Sequence, residues 1–97
     1  MADHKMTTEH RRLAILKHLA RAAGYTSNGS ILRDVLNGVG VPTTTDQLIT
    51  AMAWLDEQEL AVMTDHGDFV VMTATARGVE VAEGNATHPG VKRPSAR

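Results

Sequence analysis

The chain contains no cysteine, so neither a disulfide framework nor a thiolate zinc site can support its fold, and nothing points to an oxidising compartment. Aromatic residues are almost as scarce. Tyr25, Trp54 and Phe69 are the complete set among 97 residues, so the core has to be built from Leu, Ile, Val, Met and Ala, with little room for a small-molecule cavity. No apolar run reaches the roughly 20 residues that span a bilayer, and the start MADHKMTTEH lacks the apolar stretch of a signal peptide. A cytoplasmic protein with no membrane partner is the expectation. The scarcity that bears most on function is one of charge. From Thr43 to Asp68 there is no Lys or Arg, while Asp46, Asp56, Glu57, Glu59, Asp65 and Asp68 give that stretch a net charge of −6.

The overall charge of −1 therefore conceals an asymmetry. Residues 1–24 carry Lys5, Arg11, Arg12, Lys17 and Arg21 against Asp3 and Glu9, and the last fourteen residues carry Lys92, Arg93 and Arg97 with no acid. Such a pattern concerns partners rather than fold. At this length folding buries only about 60–65% of the unfolded surface, which suits one small domain of modest stability.

Leu13, Leu16, Leu19, Ala20 and Ala23 recur at helical spacing, with Ile15 widening the stripe, and predict a first helix over about 8–23, capped by Thr7 or Thr8 and stopped by Gly24. Residues 1–7 are expected to be flexible. Tyr25 and Thr26 form an extended link to a second helix over about 28–37, capped by Ser27 or Asn28, with Ile31, Leu32, Val35 and Leu36 as its apolar stripe. Two glycines and Pro42 in NGVGVP then exclude continued helix. Thr44 with Gln47 three residues later is a capping-box pattern for a third helix over about 45–58, bearing Leu48, Met52 and Leu55. Leu60–Thr64 and Phe69–Ala74 read as two strands joined by Asp-His-Gly-Asp, and Thr75 caps a short last helix in which Val79 and Ala82 point inward. Gly78 is expected to weaken that helix by up to about 1 kcal/mol relative to Ala. NATHPGVKRPSAR, from 85 onward, reads as a disordered basic tail.

Leu48, Met52, Leu55 and Leu60, followed by strand, Gly turn, strand and Thr75-Ala-Arg-Gly78, resemble the winged-helix superfamily of small bacterial regulators over residues 8–84. The resemblance implies a mainly α fold with a small β-hairpin, a winged helix-turn-helix of three core helices, a two-stranded wing and a short C-terminal helix. At finer grain, GYTSN at 24–28, GVGVPTT at 38–44 and THPGVKRP at 87–94 are similar to a family of small proteins of Mu-like phages and prophages. One departure concerns Glu59, which stands where the regulators place Gly between the third helix and the wing. It has either to avoid the left-handed region or to bear a cost of about 1 kcal/mol.

A winged helix that reads DNA inserts its third helix into the major groove, which makes Thr43, Thr44, Thr45, Gln47 and Thr50 the candidate base or phosphate contacts. Their structural alternative is capping and solvated surface. Arg11 and Arg12 on the first helix, Arg33 on the second, and Lys92 and Arg93 in the tail form the better electrostatic footprint. Trp54, beside the buried stripe, is either a rim residue or, with Phe69 and Val71 on one face of the wing, a patch for a protein partner or a homodimer. The five histidines lack metal-ligand spacing, and no catalytic triad, carboxylate pair or phosphate loop is evident, so no cofactor and no enzymatic activity are expected. The leading expectation is a DNA-binding module, a transcriptional regulator or an accessory to phage DNA metabolism. The alternative is a protein-interaction module of phage replication or packaging, working through its acidic third helix and wing.

Overall fold

A computed structural model describes residues 2–94, with side chains from Lys5 onward; Arg97 lies outside this range. Four helices, α1 (Ala2–Arg21), α2 (Gly29–Gly38), α3 (Thr45–Glu57) and α4 (Ala76–Ala82), enclose one core with a sheet of three short strands, β1 (Thr26–Asn28), β2 (Ala61–Asp65) and β3 (Val70–Ala74). The sheet is antiparallel throughout in the order β1-β3-β2. No helix among the described residues is long and apolar enough to cross a membrane.

Two expectations about the ends of elements are corrected. The first helix begins at Ala2 rather than Thr8, because residues 2–7 contain no Gly or Pro and simply extend a helix already nucleated by its buried part. The link at Tyr25 and Thr26 is a single 3-10 turn over Ala23–Tyr25 followed by β1, whose Thr26, Ser27 and Asn28 face Thr73, Met72 and Val71 of β3. The hairpin is thus part of a three-stranded sheet. Gly24 and Tyr25 both take positive φ (65° and 58°) to turn the chain from α1 into that strand.

Helix ends follow the polar residues named from the sequence. Asn28 accepts from the Ile31 amide to start α2, Thr44 and Gln47 form the reciprocal capping box of α3, and Thr75 accepts from the Gly78 amide to start α4. Three helices end in the same six-residue hydrogen-bonded turn: Val41 N to Leu36 O, Leu60 N to Leu55 O, and Asn85 N to Glu80 O. The left-handed residue of that turn is Gly40 after α2 and Gly84 after α4, but Glu59 (φ 62°) after α3. Glu59 therefore bears the strain, held by its own amide on the Asp56 carbonyl and by the Thr75 hydroxyl on its carbonyl at 2.8 Å.

Ile15, Leu16, Leu19, Leu32, Leu36, Met52, Leu55, Leu60, Met72 and Val81 form the fully buried centre. On α4 it is Val81 and Ala82, not Val79, that are buried most deeply. Gly78 also differs from expectation. A methyl group there would overlap the Leu60 carbonyl oxygen and crowd Leu16 Cδ2 at 3.3 Å, so the residue that weakens the isolated helix is what lets α4 lie against the chain leaving α3.

Candidate nucleic-acid interface

The start of α3 is the place where a DNA contact was expected; of its candidates Thr43 is buried, while Thr44, Thr45, Gln47 and Thr50 are exposed. Thr43 is buried, donating its hydroxyl to the Val41 carbonyl at 2.7 Å while its amide donates to Asn37 Oδ1 at 3.0 Å. Arg11, also buried, reaches across from α1: its Nε donates to Thr43 Oγ1 at 3.0 Å and its Nη2 to the Pro42 carbonyl at 3.2 Å, with a longer 3.5 Å contact to Gln47 Oε1. That same Gln47 oxygen accepts from the Thr44 amide, and Thr44 Oγ1 accepts from the Gln47 amide. Four of the expected DNA contacts, Arg11, Thr43, Thr44 and Gln47, are thus partners of one another in a joint between α1 and the α2–α3 turn.

Arg33 completes that joint from the α2 side. Its Nε donates to the Thr43 carbonyl at 3.0 Å and its Nη1 to Thr45 Oγ1 at 3.1 Å, although the side chain stays exposed. Thr50 is exposed one and a half turns further along α3, beside Asp46, Ile49 and Ala53. No cation stands on α3 itself.

Arg12 is engaged elsewhere. Its guanidinium lies 3.8 Å from the centroid of the Trp54 ring and donates from Nη1 to the Gly90 carbonyl at 2.9 Å, while its buried Nε has no hydrogen-bond partner among the described residues. Burial lowers the pKa of Arg11, and it lowers that of Arg12 against a smaller opposing pull from Glu9. Both side chains, with Gln47, Thr50 and Asp46, line one open depression between α1 and α3.

The tail expected to be disordered supplies the rest of this second cluster. Val91, its one aliphatic residue of any size, is buried, and the Lys92 amide donates to the Glu9 carbonyl of α1 at 3.3 Å. His88 packs edge-on to Trp54 at 5.2 Å and shares a 3.0 Å hydrogen bond with Gln58 Oε1, and any side chain at Gly90 would overlap the indole ring. Burial of Val91 and the bond from Arg12 Nη1 to the Gly90 carbonyl hold a segment whose composition alone favours disorder. Consequently Trp54, offered from the sequence as a rim residue or a partner contact, is partly covered by its own chain. Phe69 and Val71 do not join it: Val71 lies half-buried on the outer face of the sheet, and Phe69 is 53% exposed at the hairpin turn, stacked on His66 at 4.8 Å.

The exposed charges include one basic and one acidic cluster. Lys92 and Arg93 are exposed and, through the Lys92–Glu9 hydrogen bond, stand beside the first half of α1, where Lys5 is exposed too. Asp46, Glu57, Glu59, Asp65 and Asp68 are exposed along α3 and the hairpin, Asp46 in the same depression as Arg11 and Arg12. Asp56 is the exception among the acids: its Oδ2 accepts from the Met63 amide at 2.7 Å and so occupies the outer edge of β2.

Over 90 residues the chain is 42% identical to the uncharacterised protein gp26 of Escherichia phage Mu, with 93% of each chain covered. It is 33% identical over 78 residues to an uncharacterised protein of Haemophilus influenzae, covering 79% of this chain and 76% of that one. No protein-family model and no solved structure matches it.

Proposed function

The chain belongs to the family of the phage Mu protein gp26, and from that starting point we propose that it is a non-enzymatic protein-interaction module of winged-helix design, whose acidic α3 and hairpin meet a basic partner. The winged-helix reading is supported by the order of α2, a tight turn, α3 and a hairpin, with the hairpin's second strand continued directly by the Thr-capped α4. One observation carries the choice of partner. The exposed surface of α3 and the hairpin presents Asp46, Glu57, Glu59, Asp65 and Asp68 with no Lys or Arg among them, while Thr43, Thr44, Thr45 and Gln47 at the start of α3 are engaged in capping and in bonds to Arg11 and Arg33. A phosphate backbone approaching that surface meets repulsion, whereas a Lys- or Arg-rich protein surface meets attraction.

A titration of isotopically labelled protein with a Lys/Arg-rich amphipathic peptide tests this. The expected result is that amides of residues 45–57 and 65–70 shift and that added salt reverses the effect. Shifts confined to α1 and residues 87–94 overturn the assignment of the surface.

A second reading has its own observation. Lys5, Lys92 and Arg93 share one side of the molecule because the tail is tied to Glu9, and that cluster suits sequence-independent contact with nucleic-acid phosphates. In that reading DNA perturbs the beginning of α1 and the tail and leaves α3 unmoved.

A further inference from the structure

Opposite in sign to the hairpin is a groove between α1 and α2. Its floor is Leu13, Val35 and Val39, the last of them 57% exposed, and its rim is His10, Lys17 and Arg21, with no carboxylate lining it. Its volume is about 200 Å³, enough for one phenyl ring, since an apolar cavity of roughly 150 Å³ accepts benzene. The hairpin turn carries the matching shape and charge: exposed Phe69 stacked on His66, flanked by exposed Asp65 and Asp68. The turn is held stiff by the Gly67 amide donating to Asp65 Oδ1 at 2.8 Å and by the His66 amide donating to the Phe69 carbonyl at 2.9 Å.

We propose that the occupant of the α1–α2 groove is the hairpin tip of a second copy of this chain, with Phe69 seated on Leu13, Val35 and Val39 and with Asp65 and Asp68 facing Lys17 and Arg21. The proposal rests on the acidic surface being a protein contact and assigns that surface a partner. An aromatic anchor entering an apolar floor inside a charged rim has the anatomy of a binding hot spot. Because tip and groove are different surfaces, the contact is heterologous: each copy offers one of each, and association continues head to tail into a ring or a filament. The contact area of a hairpin tip is small, so the association belongs to the transient class and is strongest at low salt and high protein concentration.

Light scattering and sedimentation test it with two variants. Phe69→Ser removes the anchor, and Lys17→Glu combined with Arg21→Glu reverses the rim. Wild-type protein is expected to exceed the mass of a dimer as its concentration rises in about 20 mM salt, and each variant alone is expected to associate at least tenfold more weakly. Mixed together, the two variants form a 1:1 dimer and stop there, because the intact groove of the first accepts the intact tip of the second and no other pairing is left. That capped dimer also reports that both variants are folded. Wild-type protein that remains monomeric at about 1 mM in low salt overturns the proposal, as does wild-type association combined with a variant mixture that stays monomeric. In the first case the basic-peptide titration on the same monomer reports separately on whether the acidic surface binds protein at all.

Discussion

The two ends of α3 are built from the same kinds of residue and behave in opposite ways. At its start, Arg11 from α1 and Arg33 from α2 converge on Thr43, Pro42, Thr45 and Gln47, so cations and hydroxyls are bonded to one another. At its finish, Glu57, Glu59 and the hairpin acids Asp65 and Asp68 stay in solvent with no cation beside them in the sequence. The lesson is that a polar side chain can join helices while it stands at the surface. The residues that look most like a reading surface also hold the fold together, whereas the acids at the finish have no such structural task.

Substitutions at the two ends probe this difference. The largest effect is expected at the finish, where Gly78→Ala drives a methyl into the Leu60 carbonyl and separates α4 from the chain leaving α3; overpacking of this kind costs about 3 kcal/mol or more, seen as a large drop in the urea midpoint. At the start, Arg11→Ala strips the Pro42 carbonyl and Thr43 Oγ1 of a buried charged donor. Charge-assisted hydrogen bonds of this class carry about 2–3 kcal/mol, which in a domain this small lowers the melting temperature by about 10–20 °C. Glu59→Gly has the opposite sign, because glycine takes φ 62° without strain: a gain of about 1 kcal/mol in denaturant unfolding is expected. Smallest of all, Asp65→Asn with Asp68→Asn alters stability by no more than about 0.5 kcal/mol while weakening attachment of the basic peptide. A large loss of stability from that pair, or none from Arg11→Ala, breaks the contrast between the ends.

The helices were legible wherever a stripe and a cap coincide, as at Thr44–Gln47 and Thr75–Gly78. The three-residue β1 was not, because Thr26-Ser27-Asn28 carries no periodic signal and its partner Met72 lies 45 positions away. The structural tasks of Arg11 and Arg12 were not legible from charge alone. Arg11 stands one turn before Ile15 and two before Leu19, on the most buried line of α1, so its position on the apolar stripe was the available signal. For Arg12, Gly90 and Val91 there was none, since the tail finds Trp54 only after α1 and α3 have packed. Gly78 was legible as a helix weakener and illegible as a close approach, which exists only once Leu60 is in place.

The most direct test of this division is a titration of labelled protein with duplex DNA of about 20 base pairs in about 50 mM salt. The expected result is that amides of residues 45–53 stay unmoved, with any salt-sensitive shifts restricted to the start of α1 and to Lys92 and Arg93. Salt-sensitive shifts along Thr45–Ala53 that disappear in Thr50→Ala would contradict it, because α3 would then be a reading helix after all.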